Sequence, residues 1–143
     1  MERPCRIKIE SKIENLDGAG LASGDIERTE QELEGNFSLT DGGFALRYSE
    51  KSEGGEIFSE VSADGELVRV ARRGAIESTF DFKVGVSHSS LYSMGQYSFD
   101  VSIMPRRVDV KLDRDSGFVD LLYNMNIGGQ DKAVRMKIWM QMN

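Results

Sequence analysis

Several residue types are scarce in this sequence of 143 residues, which contains one cysteine and one histidine. A single cysteine excludes an intrachain disulfide and a metal cage built from cysteines. No stretch approaches the roughly 20 apolar residues of a membrane helix, and the first residues lack the apolar core of a signal peptide. We therefore expect a cytoplasmic protein with no cofactor, no metal and no membrane partner.

Basic residues are fewer than acidic ones, and the formal net charge is −6. Nucleic acids and anionic membranes are bound through basic surfaces, so a general affinity for either is not expected. Charged residues make up 29% of the chain and hydrophobic residues 39%, which is ordinary for a globular domain. A chain of this length can bury one core, and we predict a single domain over residues 1–143.

Strand-like alternation dominates the sequence, and no segment shows convincing helical periodicity. The clearest stretch runs from Tyr97 to Met142 and predicts three antiparallel strands with turns at Asp115–Gly117 and Gly128–Gly129. Successive side chains of a strand point to opposite faces, so the last strand should have a buried and an exposed set. The buried set is Val134, Met136, Ile138 and Met140, and the exposed set is Arg135 and Lys137.

Further strands are predicted along the rest of the chain at intervals of about 8–12 residues, separated by glycine-rich turns. The first is Cys5–Glu14, followed by a loop over Asn15–Gly24 and a long strand over Glu27–Thr40 whose early part is polar on both faces. The Asp64-Gly65 pair is the strongest hairpin signal. Consecutive hairpins favour an all-β, antiparallel up-and-down barrel of roughly eight to ten strands.

The order of these motifs resembles the YwiB-like family, small bacterial proteins with no assigned function. The resemblance covers nearly the whole chain. It rests on Arg72-Arg73-Gly74-Ala75-Ile76, then Phe80, Phe82, Tyr92, Gly95 and the closing strands, and also on Gly35-Asn36-Phe37 followed by Phe44, Leu46 and Tyr48. It implies a calycin-like (lipocalin-like) β-barrel in the bacterial cytoplasm and implies no activity.

Few residues point to catalysis. His88 lies among serines, but neighbouring side chains of a strand point to opposite faces, so a half-buried or surface histidine is expected rather than part of a Ser-His-Asp triad. The acidic run Glu27, Glu30, Glu32 and Glu34 is interpreted as a solvated strand rather than a metal site. We predict that the protein is not an enzyme.

The inward-facing positions are rich in aromatic and methionine side chains, which either fill a small barrel or line an apolar pocket. They are Phe44, Leu46, Tyr48, Phe80, Phe82, Tyr97, Phe99 and Tyr123, with Met125, Met136, Met140, Met142 and Trp139. Arginine binds carboxylates and phosphates through paired hydrogen bonds, so Arg72-Arg73 before Gly74 is either an anion site or a structural strand end.

Two functions remain open. In the first, the barrel binds a small apolar or amphipathic ligand at a mouth near Gly95, with its anionic end toward Arg73. The candidate ligand-binding residues are Arg73, His88, Tyr92 and Tyr97. In the second, the barrel is filled and acts as a protein-interaction module or a homo-oligomer, such as a homodimer.

Overall fold

The computed structural model describes residues 2–17 and 22–142, and within those ranges the chain forms ten strands. They are β1 Glu2–Leu16, β2 Ala22–Thr40, β3 Gly43–Ser52, β4 Gly55–Asp64, β5 Leu67–Gly74, β6 Ile76–Phe82, β7 His88–Met94, β8 Tyr97–Leu112, β9 Ser116–Ile127 and β10 Gln130–Met142. Each strand pairs antiparallel with the next, and β1 also pairs with β10. The predicted all-β, up-and-down closed barrel is therefore confirmed. None of the described residues belongs to a helix that is long and apolar enough to cross a membrane.

The connections are short because the turn residues suit tight hairpins. Gly65 has a φ of +61° in the turn between β4 and β5, a conformation that glycine adopts without steric cost. The predicted loop over Asn15–Gly24 is shorter than expected, because β1 continues to Leu16 and β2 begins at Ala22. The remainder of that predicted loop includes positions 18–21, which lie outside the described residues.

The β2 strand is paired on both sides only in its second half. Gly35–Thr40 pairs with β3, whereas Ile26–Glu34 pairs with β1 alone. A Cβ atom at Gly35 would lie 2.4 Å from the carbonyl oxygen of Arg47 and 2.7 Å from Cδ1 of Ile7. Only glycine therefore allows β2 to approach β3 at the point where the two strands separate.

The core lies toward one end of the barrel. We call this the first end; it holds the β2–β3, β4–β5, β6–β7 and β8–β9 connections, and the other connections lie at the second end. Fully buried side chains near the first end include Phe44, Leu46, Val61, Val68, Val119, Leu121 and Ile138. Toward the second end the inward side chains are increasingly polar or partly exposed.

The last strand follows the predicted alternation. Val134, Ile138 and Met140 are buried, and Met136 is partly buried and packs against the core. The exposed set was predicted less well: Arg135 and Lys137 lie on the outer face but are only partly exposed. The register of the closing strand is therefore the predicted one.

Three predicted interior aromatics are not in the interior. Tyr97 is 62% exposed and Phe99 is 40% exposed. They extend beyond the last residue of β9, Ile127, which pairs with Val101, so β8 has no neighbour there except β7. Trp139 lies on the outer face, because it has the same parity as Arg135 and Lys137.

Candidate functional site

The structure brings three of the four predicted ligand-binding residues to one face. His88 and Tyr92 lie on the inward face of β7 and are partly buried. Tyr97 pairs with Met94 on the same face, at the exposed tip of the β7–β8 hairpin. Arg73 lies on the outer face instead, with its guanidinium carbon 5.4 Å from the centre of the Phe58 ring.

The interior arginine is Arg72, which the sequence analysis did not select. It pairs with Ser59 on β4 and with Ser78 on β6, and both serines are buried. Val68 and Val70, which have the same parity on β5, are buried as well. This alternation was visible in the sequence, because a strand that buries Val68 and Val70 directs Arg72 inward.

Arg72 belongs to a row of polar side chains that crosses four adjacent strands. We call this the polar row; its members are Tyr48, Ser59, Arg72 and Ser78, which are paired in that order across β3, β4, β5 and β6. Serine and tyrosine hydroxyls can donate hydrogen bonds, and arginine can only donate. The row therefore offers mainly donors to the interior near the second end.

Two buried phenols lie within electrostatic range of Arg72. Tyr48 and Tyr123 are each 7% exposed. Burial raises the pKa of Tyr123 to about 12, although the Arg72 charge acts in the opposite direction. Burial also raises the pKa of Tyr48, where Arg72 and Glu50 have opposing effects. Both phenols are therefore protonated at neutral pH and retain a proton to donate.

The Arg72 guanidinium has no anionic partner within the described part of the chain. Its Nε atom is buried without a hydrogen-bond partner, and it forms no ion pair with a described residue. Arginines on the outer face differ: Arg69 binds Asp81 at 2.6 Å and Arg135 binds Asp120 at 2.9 Å. A charged group that is partly removed from water without a partner is unfavourable, so the interior is suited to receive an anion.

The backbone pairing between β6 and β7 is short next to the polar row. The ladder between β6 and β7 contains only two residue pairs, which join Ile76–Glu77 to Ser93–Met94. Beyond them His88 bridges the two strands, with its Nε2 atom 3.3 Å from the carbonyl oxygen of Thr79. A carbonyl can only accept, so Nε2 carries the proton in this contact. We call this weakly paired stretch the β6–β7 seam.

The serines beside His88 have other partners. The Ser87 hydroxyl donates to the carbonyl oxygen of Ile103, and the Ser90 hydroxyl donates to that of Leu91. Neither contacts the imidazole, which is what a nucleophile–base pair requires. Among the described side chains, no three of the histidine, cysteine, aspartate or glutamate type converge in a way that could hold a metal ion.

Several cavities of about 500 to 790 Å³ lie along the barrel wall, and two of them bear on the site. One of about 610 Å³ is lined by Tyr48, Ser59 and Arg72, and also by outer-face residues that include Arg47, Glu60 and Arg73. The other, about 790 Å³, covers the Trp139 and Phe118 rings, whose centres are 5.3 Å apart. The charged residues around the larger cavity are Arg6, Lys8, Lys111, Glu32, Glu34 and Asp113. Cations and anions are equal in number around the larger cavity, whereas the smaller one is lined by Arg47, Arg72 and Arg73 with Glu34 and Glu60.

Comparison with known proteins identifies the family. The model of DUF1934, described as a domain of unknown function, matches residues 7–138. The chain belongs to the DUF1934 family. The DUF1934 barrel is also similar to the crystal structure of the ywiB protein from Bacillus subtilis, with a TM-score of 0.87 and 22% sequence identity. That alignment covers 99% of this chain and 93% of the ywiB chain.

The comparisons confirm the predicted YwiB-like resemblance and the fold. At 22% identity the ywiB structure shows a common fold and no more. No curated protein matches this chain. The function of this DUF1934 member must therefore be argued from its own residues.

Proposed function

We propose that this DUF1934 domain binds a small amphipathic ligand in the second-end half of the barrel, with the anionic group of the ligand on Arg72. The observation that carries the proposal is an inward guanidinium whose Nε atom is buried with no hydrogen-bond partner among the residues that the structure describes. A carboxylate, sulfonate or phosphate would supply the missing charge and accept hydrogen bonds from it.

The surroundings of Arg72 favour an anion over a neutral polar group. The hydroxyls of Tyr48, Ser59 and Ser78 belong to the same polar row, and the protonated Tyr123 phenol is also near. A neutral amide or alcohol could accept some of these hydrogen bonds but would leave the arginine charge uncompensated. An anion compensates the charge and accepts hydrogen bonds at once.

The apolar part of the ligand has a surface to contact. Phe80 and Tyr92 lie beside the β6–β7 seam and are partly buried against the core. Met94, Tyr97 and Phe99 have the inward parity but are exposed at the second end, with Met94 at 47%. Exposed apolar surface of this kind commonly marks a binding site.

We propose binding rather than catalysis because the contacts of His88 stabilise the wall of the barrel. Its hydrogen bond to Thr79 links β6 to β7, and its ring lies edge-on to Phe80, with 6.3 Å between ring centres. The proposal also keeps the cytoplasmic location expected from the sequence, where reducing conditions suit the single, unpaired thiol of Cys5.

The test uses two adjacent arginines that point to opposite faces. Binding of the anionic probe 8-anilinonaphthalene-1-sulfonate and of the neutral probe N-phenyl-1-naphthylamine would be measured by fluorescence titration. Arg72→Met should weaken the anionic probe about 10- to 100-fold, the range for loss of a charge-assisted hydrogen-bonding partner, and should leave the neutral probe nearly unchanged.

Arg73→Met is the matched control, because it removes the same charge from the outer face. It should change the affinity of either probe by less than about threefold. Absence of saturable binding to the wild-type protein, or an equal effect of Arg72→Met and Arg73→Met, would reject the interior anion site. Urea unfolding of each variant would show that its barrel is intact.

The alternative is an interaction module or homodimer with a filled barrel. The exposed set of Met94, Tyr97 and Phe99 is the observation that favours it, since a second copy could cover these side chains. Native mass spectrometry reports bound ligand and oligomeric state together. A dimer that dissociates in a Tyr97→Asp variant, with no bound small molecule in either state, would support the alternative over the ligand.

A further inference from the structure

We infer that the free edge of β2, residues Ile26–Glu34, binds an extended basic peptide segment by β-strand addition. This edge is separate from Arg72 and the barrel interior, so the inference does not depend on the proposed ligand. The partner is defined by its chemistry: an extended conformation, and lysine or arginine at alternate positions.

The geometric argument begins with the unpaired backbone. Ile26–Glu34 pairs with β1 on one side, and the ladder to β3 begins only at Gly35. On the opposite side of the gap, Ser49–Ser52 of β3 pairs with β4 alone. Backbone N–H and C=O groups along a free edge offer a template for one more strand.

The space between the two strands holds a cavity and is crossed by a side-chain hydrogen bond. A cavity of about 500 Å³ lies there, lined by residues 31–33 of β2, residues 49–51 of β3 and Glu56. The Gln31 amide nitrogen donates to the Glu50 carboxylate at 2.8 Å. A side-chain contact of this kind can yield to backbone hydrogen bonds when a peptide strand enters.

The negative charge of the free β2 edge favours a basic partner. Glu27, Glu32 and Glu34 are exposed and form no ion pair with any residue of the described ranges, whereas Glu30 pairs with Lys8 at 3.3 Å. A second copy of this chain would bring an equally acidic edge and would be repelled. A basic segment would instead place its alternate cations opposite Glu32 and Glu34, which share the outer face of β2, and this favours both association rate and register.

The probe is a short synthetic peptide of alternating lysine and valine with a fluorescent label, and its binding is followed by anisotropy. A control peptide has the same charge, but its central valines are replaced by proline, which cannot donate backbone hydrogen bonds. Strand addition predicts that the proline peptide binds at least about tenfold more weakly than the alternating peptide. Equal binding of the two peptides would show simple charge attraction and overturn the inference.

Amide hydrogen exchange locates the peptide without any substitution in the protein. The amides of Ile26–Glu34 that point to the free edge should exchange quickly in the free protein and slow down when the alternating peptide is bound. Protection elsewhere with none on β2, or no binding at all, would overturn the inference.

Charge reversal tests the role of the carboxylates. The double variant Glu32→Lys with Glu34→Lys should bind the peptide at least about tenfold more weakly. The control Glu53→Lys with Glu66→Lys changes net charge equally at two exposed turn positions and should retain most of the affinity. Equal losses in the two double variants would contradict a site on β2. Arg72→Met should leave peptide binding unchanged, which keeps this test distinct from that of the interior ligand.

Discussion

Truncation of Ile138 tests the register on which the whole barrel depends. Ile138 is 0% exposed and pairs with Ile9 of β1 and Val119 of β9, both of which are buried. Ile138→Ala removes three carbon atoms, at about 0.8 kcal/mol each for lost burial, and leaves a cavity. We therefore expect a loss of about 3–4 kcal/mol in the free energy of unfolding, within the usual range of about 2–5 kcal/mol.

The adjacent outer-face position supplies the control. Lys137 is partly exposed, and Lys137→Ala should change stability by no more than about 0.5 kcal/mol. Urea unfolding followed by tryptophan fluorescence measures both variants, and an unchanged slope would show that the two-state comparison holds. Equal losses for the two variants would mean that β10 does not present these faces, and the register would be refuted.

Three further predictions concern backbone packing, a buried phenol and a buried carboxylate. Gly35→Ala should lower the free energy of unfolding in urea by at least about 2 kcal/mol, because its Cβ would overlap neighbouring atoms. The control Gly54→Ala places a Cβ at an ordinary 3.7 Å contact and should be nearly neutral. Tyr123 has a pKa raised to about 12 in the fold, so stability present below about pH 10 should fall by about 2–3 kcal/mol as the pH rises to 12. Tyr123→Phe should remove this part of the pH dependence, and an unchanged pH profile of urea unfolding would contradict it. Arg135→Ala should lower the free energy of unfolding by about 2–3 kcal/mol in the same assay, because the Asp120 side chain, only 4% exposed, loses its closest partner. A loss below about 0.5 kcal/mol would show that this ion pair does not stabilise the fold.

Much of the fold could be predicted from alternation and turn residues. The closing strands alternate except at the irregularity between Pro105 and Arg107 in β8, and the Asp64-Gly65 hairpin has strong local turn chemistry. Burial at a strand end was less predictable, because it depends on how far the neighbouring strand continues. Tyr97 and Phe99 satisfy inward parity, yet β9 ends before it can cover them.

The candidate site could be predicted only in part, for related reasons. His88 and Tyr92 share a strand, so their common face follows from sequence spacing. The choice between Arg72 and Arg73 needed the parity of Val68 and Val70 to be carried through to the strand end. That no carboxylate of the described ranges pairs with the interior guanidinium depends on long-range pairing, which no local pattern contains.

The two weakly paired stretches of the barrel wall were not predictable from sequence. The long strand over Glu27–Thr40 was predicted, including the polar character of its early part, and the structure confirms it within β2. Which of its edges stays free depends on where β3 separates from it, near Gly35. The β6–β7 seam likewise arises because only two residue pairs join those strands.

The most direct test of the interior site is the Nε–H resonance of Arg72 in a nitrogen–proton NMR spectrum, assigned by its loss in Arg72→Lys. Titration with an amphipathic anion such as dodecanoate should shift this resonance in a saturable manner, because the buried Nε atom gains an acceptor. The Arg73 resonance should change little. A saturable shift of Arg73 with none at Arg72, or no shift at either, would contradict an anion site inside the barrel.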